Sequence, residues 1–334
     1  MPTELFLAFA VAGTFVLYSI FGGADFGGGV WDLLAAGPRK AEQRALIARA
    51  IGPVWEVNHV WLIVGLVLLF SGFSRAFAVL TVALHVPLTL LLLGIVFRGT
   101  AFTFRTYDVR GDRVQRTWGL VFSVASVISP VLLGMCVGAV ASGRIRVEGR
   151  TVVSGFFAPW LTPFAVAVGV LALCLFAFLA AVYLTAEADS EPLREDFRRR
   201  ALGAGVAVFV AAFGVLLLSR EGAPQVWGGL IHEPLALAVH AVTAVSALAT
   251  FALLWRRRFQ WARVAGAAQV GFIVFGWAAS QYPYLVVPDI TVQAAAASPS
   301  VLRLLMVAIA LGAALVVPSI ILLLRTFEPR TPHS

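Results

Sequence analysis

Nine stretches of predominantly apolar residues recur along the chain, at about 5–27, 52–71, 76–97, 117–141, 158–185, 201–219, 234–254, 262–280 and 301–324. Each holds around 20 residues, enough at about 1.5 Å per residue to cross a hydrocarbon core of about 30 Å. The pattern therefore predicts an all-α, polytopic membrane protein, a bundle of about nine transmembrane helices. The first helix can run on as far as Leu34. No connection between runs is long enough for a soluble catalytic domain, so 1–334 is expected to form a single integral membrane domain. Chemistry must then occur inside the bundle or belong to a partner.

The polar interruptions are more telling than the runs. The second run opens GPVWEVNHVWLI, which sets Glu56, Asn58 and His59 between Trp55 and Trp61. A helix starting near Ile51 would carry Glu56 about five residues, or roughly 8 Å, into the membrane. Glu56 and His59 are three apart and share a face, which Trp55 overlaps, while Asn58 and Trp61 point toward another helix contact. The first run closes FGGADFGGGVWDLLA. Its glycines read as sites of close helix approach, and that leaves Asp25 unexplained. Asp25 is expected toward the end of the first helix, with Trp31 and Asp32 near the interface. Intramembrane acids are expensive and are functional candidates by default. Two readings stand: a structural contact locking helix 1 to helix 2, or acids that load and release protons, with His59 titrating in a similar range.

Other polar positions are weaker signals. The third run ends GIVFRGTAFTFR, where Arg98 is either an interfacial anchor or the partner of a buried carboxylate such as Asp25 or Glu56. His85 in the third run and His240 in the seventh are most simply hydrogen-bonded packing residues, and a haem or metal ligand is the alternative. AEADSEPLREDFRRR (186–200) reads as a solvated loop and QYPYLVVP (281–288) as an interfacial belt.

Charge sets the orientation. Six basic residues, Arg75, Arg144, Arg146, Arg150, Arg220 and Arg303, fall in one set of connections, and the remaining 19 of 25 fall in the other set or the tail. The basic set includes Arg256, Arg257 and Arg258. By the positive-inside rule the N-terminus is expected outside and the C-terminus in the cytoplasm. The net charge of +8 is accounted for the same way, with no nucleic-acid role. Composition agrees, with 60% hydrophobic and 13% charged residues against about 45–50% and 25% in soluble domains. The first positive charge is Arg39, so the basic leader of a secretory signal is missing. Cys136 and Cys174 lie within apolar runs and suggest neither a disulfide nor a metal site.

Taken in order, FGGADFGGGVWDLLA, GPVWEVNHVWLI and GIVFRGTAFTFR resemble subunit II of the cytochrome bd-type quinol oxidases. The Glu–Asn–His form of the second motif is similar to the cyanide-insensitive branch. The resemblance implies a nine-helix subunit of the bacterial cytoplasmic (inner) membrane, paired with a larger, similarly folded subunit I. That partner would carry haem b and haem d, oxidise quinol and reduce oxygen to water with protons drawn from the cytoplasm. This chain would hold no cofactor or metal of its own, although some members hold a structural quinone. Its partners would be subunit I, membrane lipid and quinone, with a small single-helix subunit as a further candidate. Matched position by position, Glu56 and Asp25 fall on the proton route, Trp55, Asn58, Trp61 and Arg98 support them, and His59 replaces a glutamine. The residues alone also leave open a proton-coupled secondary transporter with Glu56 and Asp25 as coupling acids.

Overall fold

A computed structural model describes residues 2–52, 55–107 and 112–327. Within them α1 (Thr3–Leu33), α2 (Lys40–Ile51), α3 (Trp55–Gly72), α4 (Ser74–Ala83), α5 (His85–Tyr107) and α6 (Asp112–Ala141) make the first half. A hairpin of β1 (Val147–Glu148) and β2 (Thr151–Val152) leads to α7 (Pro163–Glu187), α8 (Glu191–Gly222), α9 (Pro224–Ile231), α10 (Pro234–Trp255) and α11 (Phe259–Ser280). A second hairpin, β3 (Tyr284–Val286) and β4 (Ile290–Thr291), precedes α12 (Val292–Ala295) and α13 (Pro299–Phe327). Among the described residues eight helices are long and apolar enough to cross a membrane, and up to nine if α3 and α4 together make one broken span. Each of the nine apolar runs falls mainly on its own long helix, α1, α3, α5, α6, α7, α8, α10, α11 or α13.

The first helix lies at the centre and packs against α3, α6, α7 and α11. Glycine makes this possible. A Cβ at Gly27 would overlap the Phe176 carbonyl oxygen of α7, and one at Gly29 would overlap the Ser126 hydroxyl of α6. Backbones thus meet where any larger residue would hold them apart. Trp31 seals the same seam by donating its indole N–H to the Ala177 carbonyl at 2.7 Å.

The structure sharpens some boundaries and shifts others. The first helix runs to Leu33, within the extension to Leu34 that the sequence allows, so Asp25 lies eight residues, about 12 Å, from its end. Trp31 and Asp32 are buried within the protein. The run expected as one helix over 76–97 is broken. Its first part belongs to α4, which turns 117° from α3, and the span restarts at His85. Pro87 explains the restart, since proline is tolerated in a first helical turn and breaks an interior one. Similarly α2 ends at Ile51, and the described part of α3 begins at Trp55. QYPYLVVP supplies β3, with Val286 buried in the core and Tyr282 exposed. His85 lies at the exposed start of α5, its Nδ1 2.9 Å from the Val82 carbonyl, and His240 is exposed on α10.

The two sets of charged connections separate to opposite ends. At one end Arg39 bonds Asp196, Arg257 pairs with Glu191, and Arg263 meets Glu187 at 2.9 Å. At the other, Arg75 reaches the Gly149 carbonyl and Arg146 lies 3.3 Å from Asp289. The Asp196 contact raises the pKa of Arg39, which lies in the loop before α2.

Candidate functional site

The longer first helix and the restarted α5 bring Asp25 and Arg98 to one level inside the bundle. Arg98 is nine residues from the end of α5, about 13 Å, and its side chain is 2% exposed against 0% for Asp25. The guanidinium grips the carboxylate with both forks. Nη2 donates to Oδ1 at 2.5 Å and Nη1 donates to Oδ2 at 2.9 Å. Nη2 also donates to the Asp25 backbone carbonyl at 3.0 Å, and Nε donates to the Ser126 hydroxyl of α6 at 2.9 Å. Phe26 and Phe122 cover its two sides, with ring centroids 4.7 and 4.8 Å from the guanidinium carbon. Every donor edge and both π faces are used, a set that a lysine ammonium could not reproduce.

Asn58 completes the network from α3, its amide donating to Asp25 Oδ2 at 2.6 Å. Gly22 leaves room for this approach, because a Cβ there would sit 3.2 Å from the Asn58 Oδ1 atom. Asp25 therefore accepts from Asn58 and twice from Arg98, and all three contacts are donors. Two buried groups beside it, Asn58 Oδ1 and Tyr18 Oη, have no hydrogen-bond partner among the described residues. Trp61 stacks on Phe21 of α1 at 6.5 Å, and His59 sets its ring edge-on to Phe26 at 6.4 Å.

The anchor reading of Arg98 is overturned, because a snorkelling arginine would show its head to water and this one is enclosed. Asn58 and Trp61 both make their helix contact with α1. The side chains of Trp55 and Glu56 lie outside the described residues, so the Glu56–His59 contact expected from spacing has no geometry to report. Sequence reasoning missed Ser126, Phe26 and Phe122. Ser123, Ser126 and Ser129 recur every third residue through an otherwise apolar run, and that stripe was a readable signal. Ser123 donates at 3.0 Å to Asp32, a second buried acid, which Arg44 approaches to 3.7 Å. Among the described residues no group of three or more His, Cys, Asp and Glu could hold a metal ion.

Subunit 2 of the cytochrome bd ubiquinol oxidase of Bacillus subtilis is 34% identical over 125 residues, 37% of this chain and 36% of that one. Subunit 2 of the cytochrome bd-I ubiquinol oxidase of Escherichia coli K12 is 25% identical over 170 residues, 50% and 44% of the two chains. Both matches span less than half of the relative. The fold extends further: the bd oxidase structure from Geobacillus thermodenitrificans superposes with a TM-score of 0.84 over 99% of this chain and 100% of that one, at 23% identity. The family described as cytochrome bd terminal oxidase subunit II matches residues 3–327, and this chain belongs to it.

Proposed function

We propose that this protein is the scaffolding and proton-delivering subunit of a quinol oxidase in the bacterial inner membrane, with its basic end facing the cytoplasm. The haem b and haem d centres belong to a partner subunit I, where quinol is oxidised and oxygen reduced to water. Oxygen reduction consumes protons, and these must reach a buried site through hydrocarbon. The observation that carries the reading is the Asp25–Arg98–Asn58 network, which ties α1, α3 and α5 together two residues from Glu56 on α3. Glu56 is the proton-relaying acid in this proposal. Asp25 belongs to the route as the fixed charge that, with Arg98, positions the turn of α3 bearing Glu56. Three donor contacts converge on the Asp25 carboxylate, and that set favours a fixed ion pair. The same fixed pair counts against the transporter alternative, whose coupling acids must exchange protons during each cycle.

The test is Glu56→Gln in the intact complex. Quinol oxidase turnover should fall on the order of 10²-fold, as for loss of a proton-transferring group, while the haem spectrum stays intact. Unchanged turnover across about pH 6 to 8 refutes the proton role. Loss of haem together with turnover makes Glu56 a structural residue.

A further inference from the structure

The turn between α10 and α11 is unlike the other connections at the basic end. It reads Trp255–Arg–Arg–Arg–Phe–Gln–Trp261, and its arginines line a cleft of about 470 Å³ together with Arg194, Phe259 and Trp261. Arg257 occupies the left-handed region, with φ of 59°, at the place after a helix end where glycine is usual. Its side chain reaches back to Glu191 and Glu195 of α8, which holds the turn in this shape.

The charges in the cleft do not cancel. Glu191 and Glu195 are shared among Arg194, Arg198, Arg199 and Arg257. Arg256 and Arg258 are exposed and make no side-chain hydrogen bond or ion pair among the described residues. The Nε atom of Arg194 is buried and has no acceptor. Trp255 and Trp261 flank the turn, 75% and 64% exposed. Indoles so disposed belong at a headgroup boundary. Below Trp255 the exposed face of α10 continues through Leu248 and Val245, 71% and 65% exposed, as a surface for acyl chains.

We propose that this cleft is a specific site for an anionic phospholipid of the adjoining leaflet, its phosphodiester held by Arg256 and Arg258 and its glycerol region set against Trp261. The shared chemistry is that of a phosphate anion. The aromatic flanks and the apolar face of α10 favour a lipid over free phosphate or an acidic polypeptide. The site is independent of the proton route, and oxidase turnover is not its readout.

The test is native mass spectrometry of the purified complex after exchange with an equimolar mixture of phosphatidylglycerol and phosphatidylcholine. Wild type should retain phosphatidylglycerol selectively. Arg256→Gln/Arg258→Gln should weaken retention about 30-fold, at about fivefold for each arginine near a membrane surface. Arg75→Gln/Arg303→Gln, the same charge change at the opposite end, should leave it intact. Equal retention by the cleft variant overturns the site. So does equal retention of the two lipids by wild type, or full displacement of phosphatidylglycerol by millimolar inorganic phosphate, which would mark a free-anion site. Loss of a protein subunit from the cleft variant, with no lipid on wild type, would assign the cleft to a polypeptide. Should the variant fail to assemble, the lipid discrimination and phosphate competition on wild type decide the question.

Discussion

Removing one partner of the Asp25–Arg98 pair should cost far more than removing both charges together. Both side chains are essentially out of contact with solvent, so Arg98→Met leaves a carboxylate whose remaining donor among the described residues is the Asn58 amide. Stranding a buried charge in this way costs about 3–5 kcal/mol. Asp25→Asn strands the guanidinium instead, but Arg98 keeps Ser126, the backbone carbonyl of residue 25 and two aromatic faces. Its cost should fall in the lower part of that range. In the double variant the asparagine can still bond Asn58, and the methionine sulfur lies between Phe26 and Phe122, a favourable contact. The double variant should therefore come within about 1–2 kcal/mol of wild type, a coupling of about 4–7 kcal/mol when set against single losses of about 3–5 and about 3 kcal/mol. Reversible unfolding of the purified protein in mixed detergent micelles measures all four forms. Additive losses, or an Arg98→Met protein as stable as wild type, would refute the claim that the pair locks α1 to α5.

Two further outcomes follow from the same packing. Asn58→Leu should lose about 1–3 kcal/mol with its bond to Asp25, and Asn58→Asp should lose more, because it sets a second carboxylate where the 2.6 Å contact stood; the same unfolding assay reads the order, and the reverse order would be fatal to it. Gly27→Ala should force α1 off the Phe176 carbonyl of α7 and lower the yield of assembled complex by at least the 1–3 kcal/mol typical of overpacking. Gly13→Ala on the same helix meets nothing within 4 Å and should be silent in both measurements.

The apolar runs made the helices legible because hydrocarbon enforces one rule along the whole chain: backbone polar groups must be bonded within the segment. Boundaries were harder to read. In a long apolar stretch, the residues that decide where a helix restarts are single positions such as Pro87, and hydrophobicity alone does not weigh them. That error moved the expected end of the third span and left the interfacial reading of Arg98 open. Asp25 was recognisable as anomalous from sequence, and its partner was one of two acids considered for Arg98. Asn58 and the serine stripe of α6 stood out as polar positions in apolar runs, but Asn58 comes from α3 and Ser126 from α6, and nothing local in either helix specifies that they converge on α1. The separation of basic and sparsely charged ends survived better, since it rests on many residues and tolerates the misplacement of one.

The geometry describes the surroundings of one of the two carboxylates that the sequence offered as equals. Asp25 accepts from Arg98 and Asn58, held in a bidentate grip whose release would leave a guanidinium among phenylalanines. Such an arrangement fixes position. Asn58 transmits that position directly, because it hangs from the same carboxylate and sits two residues along α3 from Glu56. In the function proposed above, Glu56 is the acid that exchanges protons, and the contacts at Asp25 fix the register of the helix that carries it.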